Sequence, residues 1–304
     1  TKLRPHDTKS IPSAIIHYQG KQRSSKRLEN SHSNINKSRT RLMLSYGLGD
    51  AGTGLAATQL GFYLFPFFIG YAGLPALIAG SILMLIKIWD AINDPFIGWL
   101  SDKTKTRWGP RLPWMLIGAV PLGYSLAAIW WVPNGSIFQK TTYYVFISIV
   151  LMTAYTSVNL PFAALSTEIS EEISIRTRLN AARFTGSIIA GLSGLIIAAN
   201  ILSKNDFAYF SMGKISGLVA AIATLISCWG LAPFAKKARR PSKKNIPLKV
   251  QLKRIFNNQK FIKVISLYLL LWCALQLMQT VSLIYVEQVL LIPSKYAKWI
   301  PIPF

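Results

Sequence analysis

Acidic residues are scarce in this 304-residue chain: eleven Asp and Glu stand against 34 Lys and Arg, for a formal net charge of +23. Histidine is scarcer still. His6, His17 and His32 all lie near the N-terminus, which leaves none for acid–base or metal chemistry beyond residue 32. The two cysteines, Cys228 and Cys273, both fall in apolar runs. They read as small buried hydrophobes and offer neither a disulfide framework nor a thiolate metal site. No nucleophile–base pair, metal cluster or glycine-rich phosphate loop is present. These absences argue against an enzyme and imply no cofactor. The excess of base invites a nucleic-acid reading, but the basic blocks alternate with hydrophobic stretches and no nucleic-acid motif accompanies them, so no such partner is expected.

Hydrophobic residues make up 51% of the chain. The positive charge is concentrated in the first forty residues, in Lys103 to Arg111 and in Lys236 to Lys263. Long apolar runs separate these blocks, the pattern of an all-α, polytopic membrane protein whose basic segments meet anionic lipid on one side of a bilayer. The chain divides into a basic tail over 1–41, six spans over 42–235, a basic linker over 236–260, a seventh span over 261–291 and a proline-containing tail over 292–304. Spans are expected at about Leu42–Tyr71, Leu74–Leu100, Pro113–Val132, Thr141–Leu165, Ala181–Leu202, Phe207–Phe234 and Phe261–Leu291. The N-terminal tail carries no secretory signal and is expected to be disordered or to lie on the membrane surface. Basic or long connections follow spans two, four and six, and short ones with little charge follow spans one, three and five, which places the N-terminus in the cytoplasm. Thr167 to Asn180 is expected to form the second cytoplasmic loop. Trp130, Trp131, Trp229 and Trp272, near span ends, read as interfacial anchors.

The second span carries the polar residues that need explaining. On a helix, Lys87, Asp90 and Asp94 stand at i, i+3 and i+7 and share one face. Ionisable groups inside a bilayer are costly, and they face a protein interior or a water-filled cavity where they mark an ion or substrate path. A bland reading also stands: Lys87 and the acids could form a buried ion pair that only joins helices. Asp50, near the start of span one, reads equally as an interfacial residue or a cavity residue. Arg183, at the expected start of span five, reads equally as a snorkelling side chain or a substrate contact.

The segments Trp89-Asp90-Ala91-Ile92-Asn93-Asp94-Pro95, Gly98-Trp99-Leu100-Ser101-Asp102-Lys103 and Arg107-Trp108-Gly109-Pro110-Arg111-Leu112-Pro113-Trp114 resemble the glycoside–pentoside–hexuronide:cation symporters of the major facilitator superfamily, the melibiose permease-like family. Leu44-Ser45-Tyr46-Gly47, Tyr155-Thr156, Pro161-Phe162, Arg176-Thr177-Arg178-Leu179-Asn180 and Arg183-Phe184 extend the similarity over roughly Leu42 to Leu291. The resemblance implies an N-terminal six-helix bundle followed by the first helix of a C-terminal bundle, in a chain expected to be incomplete.

The resemblance also implies roles. Asp90 and Asp94 match the helix-two carboxylates that hold the coupling cation, Na⁺, Li⁺ or H⁺. Asn93 and Thr156 could add neutral oxygens, as a hard cation requires. Lys87 matches a basic position beside those acids. With Tyr155, Asn159 and Arg183 it falls at substrate-site positions. Asp102, Lys103, Arg107 and Arg111 match a superfamily loop pattern read as a conformational latch between bundles.

Three departures stand out. Gly54, beside Thr53, replaces a helix-one acid of the best-known sugar carriers, Asn159 replaces another acid, and Ala163 replaces an aromatic. The expected partners are a small solute, a monovalent cation and the lipid bilayer of a plasma or inner membrane, for a monomeric carrier working by alternating access. A lysolipid symporter and a non-transporting membrane scaffold remain as alternatives.

Overall fold

The computed structural model describes residues 38–203, 208–236, 255–293 and 296. The expectations for the tail before residue 38, for the turn at 204–206, for most of the 236–260 linker and for the end of the C-terminal tail lie outside the described residues. The segment Leu44–Phe304 is one unit; of the other, Thr1–Met43, residues 38–43 are described and are helical.

Among the described residues the main helices are α1 (Ala51–Pro66), α2 (Ala76–Lys103), α3 (Leu112–Ala128), α4 (Ile137–Ile169), α5 (Ile173–Leu202), α6 (Tyr209–Ala235) and α7 (Gln259–Gln288). Among the described residues, six helices are long and apolar enough to cross a membrane, beginning with Ser38–Tyr71, while Leu112–Ala128 is a shorter apolar helix. The molecule is therefore an integral, multi-pass, all-α membrane protein. Proline occurs inside α1, α2, α3, α4 and α6. Membrane bundles tolerate this because neighbouring helices and local adjustment re-satisfy the freed carbonyls. A π-helical turn, Phe67–Tyr71, follows Pro66 and ends α1.

The most extensive packing joins α3 to α6, α1 to α5, α3 to α4 and α2 to α4, with α1 also touching α6 and α7. Two tie points show which connections share an end of the bundle. Lys140 Nζ, in the first turn of α4, donates to the Ala72 carbonyl in the α1–α2 connection at 2.8 Å. At the other end Arg111, just before α3, reaches the last turns of α2 and α4. The alternation of ends expected from loop charge is thus built into the contacts. In the α2–α3 loop Gly109 has φ +86°, and a Cβ there would lie 2.9 Å from the Ala235 carbonyl oxygen, so both conformation and space select glycine.

The structure corrects four expectations, for the second loop, Arg183, Trp130 and Cys273. The connection between α4 and α5 is three residues, 170–172, because α4 continues to Ile169 and α5 starts at Ile173. Glu171 and Glu172, just ahead of α5, place negative charge at its N-terminus, where the helix dipole favours it. Arg183 consequently sits well inside α5 instead of at its start. Trp130 is not an interfacial anchor: it is fully buried, edge-on to Phe67 at 5.2 Å and stacked on Tyr209 at 5.8 Å. Trp131, Trp229 and Trp272 are exposed. Cys228 is buried as expected, but Cys273 is exposed on α7.

Candidate functional site

Helix α2 turns its polar residues toward α4. The Thr156 hydroxyl, buried on α4, lies 2.9 Å from Asp94 Oδ1 and 3.5 Å from Asp90 Oδ1. A hydroxyl has one proton to give, so the two carboxylates share a single donor. Asn93 is buried between them in sequence, and its Nδ2 faces the Met152 carbonyl at 3.5 Å. Trp89 donates its indole N–H to Thr153 Oγ1 at 3.0 Å. Trp89 and Asn93, four residues apart, thereby hold the rotation of α2 against α4 and keep the acids aimed at Thr156. Lys87 is exposed on the same helix. Among the described residues no ion pair joins it to either acid; the three ion pairs found all lie elsewhere. Two carboxylates with one shared hydroxyl donor are oxygen-rich and negative, and such a set attracts a hard monovalent cation.

A second polar cluster lies one residue along α4. Arg183 Nε donates to Asp50 Oδ2 at 3.0 Å, and its Nη2 donates to Asn159 Oδ1 at 2.9 Å. Asn159 Nδ2 in turn faces the Tyr155 hydroxyl at 3.5 Å. Asp50 Oδ1 accepts from Thr53 Oγ1 at 2.8 Å. The side chains of Arg183 and Asp50 are 16% and 8% exposed, so this is a largely buried ion pair held by three helical segments. Snorkelling is excluded for Arg183, because its guanidinium turns inward to a carboxylate. Tyr155, Asn159 and Arg183, singled out in the sequence, are brought together; Asp50, which joins them, was left open there. An acid and an arginine that both fall in apolar runs need each other, and that signal was available.

The third cluster closes the end of the bundle. Arg111 donates from Nε to Glu168 Oε1 at 2.8 Å, from Nη1 to Ser101 Oγ at 2.8 Å and from Nη2 to Asp102 Oδ1 at 2.5 Å. Glu168 was assigned to a loop by sequence; it is buried in the last turn of α4. Lys103 Nζ stands 3.7 Å from the centroid of the Trp99 ring. Arg107 is exposed. The Arg111–Asp102 contact is made inside this bundle.

Gly54 has a structural cause. A Cβ at this position would lie 2.2 Å from Ser187 Oγ and 2.8 Å from the Ser187 carbonyl oxygen, because α1 and α5 cross there. An acid at position 54 has no room. Among the described residues no group of three or more His, Cys, Asp and Glu gathers to hold a metal.

Residues 45–304 match the family described as MFS/sugar transport protein. The chain belongs to this family. Within it, an uncharacterised symporter of Synechocystis is 40% identical over 208 residues, covering 65% of this chain and 38% of that protein. The isoprimeverose transporter of Lactiplantibacillus pentosus is 27% identical over 252 residues, 79% of this chain and 51% of its own length. A sodium-dependent lysophosphatidylcholine symporter of Gallus gallus is 33% identical over 162 residues, 53% of this chain and 30% of its own length. The chain thus spans about a third to a half of the curated relatives it matches.

Proposed function

We propose that this chain forms the N-terminal bundle, and the first helix of a second, in a secondary transporter that couples the movement of a small solute to Na⁺ or H⁺. The observation that carries the reading is the convergence of Asp90 and Asp94 on the Thr156 hydroxyl, with no ion-pair partner among the described residues. A bound cation would neutralise the acids and draw α2 and α4 together through Thr156. Tyr155 immediately precedes Thr156 on the same helix and reaches the Asp50–Arg183 cluster through Asn159, so ordering α4 at the cation site also orders the residues assigned to the solute. The loaded protein would then rock between outward- and inward-open states. The Arg111 cluster is read as the cytoplasmic floor of the bundle, with Lys103 and Arg107 left to meet the second bundle in one of those states. Loop charge supports a cytoplasmic N-terminus in a plasma or inner membrane.

A small glycoside is the solute class favoured here, in keeping with the name of the isoprimeverose transporter. A lysolipid is the second reading, favoured by a lysophosphatidylcholine symporter among the relatives and by exposed Phe184 and Ile188 beside Arg183.

Uptake into vesicles carrying the full-length protein tests the proposal. Accumulation of solute is expected to need an inward Na⁺ or proton gradient and to collapse in Asp94→Ala. Accumulation that ignores both gradients would refute it.

A further inference from the structure

The Asp50–Arg183 pair says something about the charge of the solute. This inference rests on the reading that Tyr155, Asn159 and Arg183 face the transported molecule. Arg183 is the cation of that cluster, and on its own it would attract a carboxylate or phosphate in a two-pronged hydrogen bond. Here that place is taken. Asp50 Oδ2 holds Nε, Asn159 Oδ1 holds Nη2, and the partner carboxylate is held in turn by Thr53. The acid is 6% exposed and cannot swing into water. An anionic group pairing with Arg183 through its Nε edge would have to displace Asp50 and leave a buried carboxylate without its counter-ion, and one at the remaining N–H bonds would meet a guanidinium whose charge Asp50 already balances. A neutral group meets no such conflict. The amide of Asn159, the hydroxyl of Tyr155 and the free N–H bonds of Arg183 can each exchange hydrogen bonds with hydroxyls while the ion pair stays intact.

The position of the acid is a property of this chain's packing. Asp50 sits at a turn immediately before α1, one helical turn ahead of Gly54. Gly54 is pressed against Ser187, so α1 has no room for a carboxylate there. At position 50 the side chain points back toward the tilted face of α5 that carries Arg183, and the pair closes.

We infer that Asp50 is a specificity-determining residue: it acts as a built-in counter-ion that occupies the anion-binding side of Arg183 and restricts the solute to molecules without net charge, neutral glycosides or zwitterions, excluding uronides and phosphate monoesters.

The test uses purified full-length protein and two probes of one shape, p-nitrophenyl β-glucoside and p-nitrophenyl β-glucuronide, with binding read by calorimetry. Asp50→Asn keeps the size of the side chain and removes its charge. It is expected to strengthen glucuronide binding at least about tenfold relative to the glucoside. The double variant Asp50→Asn, Arg183→Gln, which carries no unpaired charge, is expected to lose that gain. Glucuronide binding that is no stronger in Asp50→Asn than in the natural protein overturns the inference, and so does a gain that survives in the double variant. Sodium- or proton-dependent stabilisation, measured on the same preparations, reports separately on Asp90 and Asp94, so a failure of the cation reading is distinguishable from a failure of this one. It also shows whether each variant is folded.

Discussion

Two acid-containing clusters of the bundle differ in how well they are satisfied. Around Arg111 a guanidinium spreads its donors over Glu168, Ser101 and Asp102 at 2.5–2.8 Å. Around Thr156 two carboxylates share one hydroxyl proton and, among the described residues, have no ion pair. Both place charge where water is scarce. The first carries its own cation, paired with both acids, although Glu168 Oε2 has no hydrogen-bond partner among the described residues, and it reads as architecture. The second has no ion pair among the described residues, and in the proposed function the coupling cation supplies the missing charge. The comparison teaches that intramembrane charge alone does not point to a transport site; an acid pair with no cation beside it is the sharper signal.

Breaking the Arg111 cluster should have the largest effect. Arg111→Leu leaves Glu168 buried without its cation and is expected to cost about 3–5 kcal/mol, read as a large fall in the thermal stability of the purified protein. Adding Glu168→Leu should restore a good part of it, since paired removal leaves no orphaned charge. If the single variant were as stable as the natural protein, the cluster would not be architectural. Gly54→Asp comes next. The new side chain collides with Ser187 backbone as well as its hydroxyl, so a destabilisation of about 1–3 kcal/mol is expected, with no gain in glycoside binding.

The open cluster should respond in binding more than in stability. Thr156→Val removes the donor that the two acids share while keeping shape. A loss of about 1.4 kcal/mol is expected, seen as a roughly tenfold higher cation concentration for half-maximal uptake. Trp89→Phe removes one hydrogen bond, to Thr153, one position away from Asp90. It should weaken cation binding by about 1 kcal/mol or less, the smallest effect of the series. An effect of Trp89→Phe larger than that of Thr156→Val would mean that helix register, not the hydroxyl, governs the site.

Much of this was legible in the sequence, for physical reasons. Each expected span falls on an apolar helix among the described residues, six of them long enough to cross a membrane, because a bilayer imposes length and composition on each helix separately. The helical period put Asp90 and Asp94 on one face, and the face found its hydroxyl on α4. What sequence could not supply were pairings across the bundle. Asp50 and Arg183 are separated by 133 residues, and Arg111 and Glu168 by 57. No local pattern encodes which helices touch. Boundary errors followed the same rule: the charged stretch Thr167 to Asn180 looks like a loop by composition, yet most of it is helix, because long helices extend past the apolar core and carry charge there. Trp130 was misread as an anchor because its position near a span end is also where the aromatic cluster of Phe67, Tyr144 and Tyr209 closes.

The most direct test is cation binding to purified full-length protein, with Na⁺ followed by calorimetry and H⁺ by pH-stat, compared between Asp94→Asn and Asp102→Asn. The account predicts that one of the two cations binds the natural protein and the Asp102→Asn variant, and that this binding is lost in Asp94→Asn. Unaltered binding of Na⁺ and H⁺ in Asp94→Asn would contradict it.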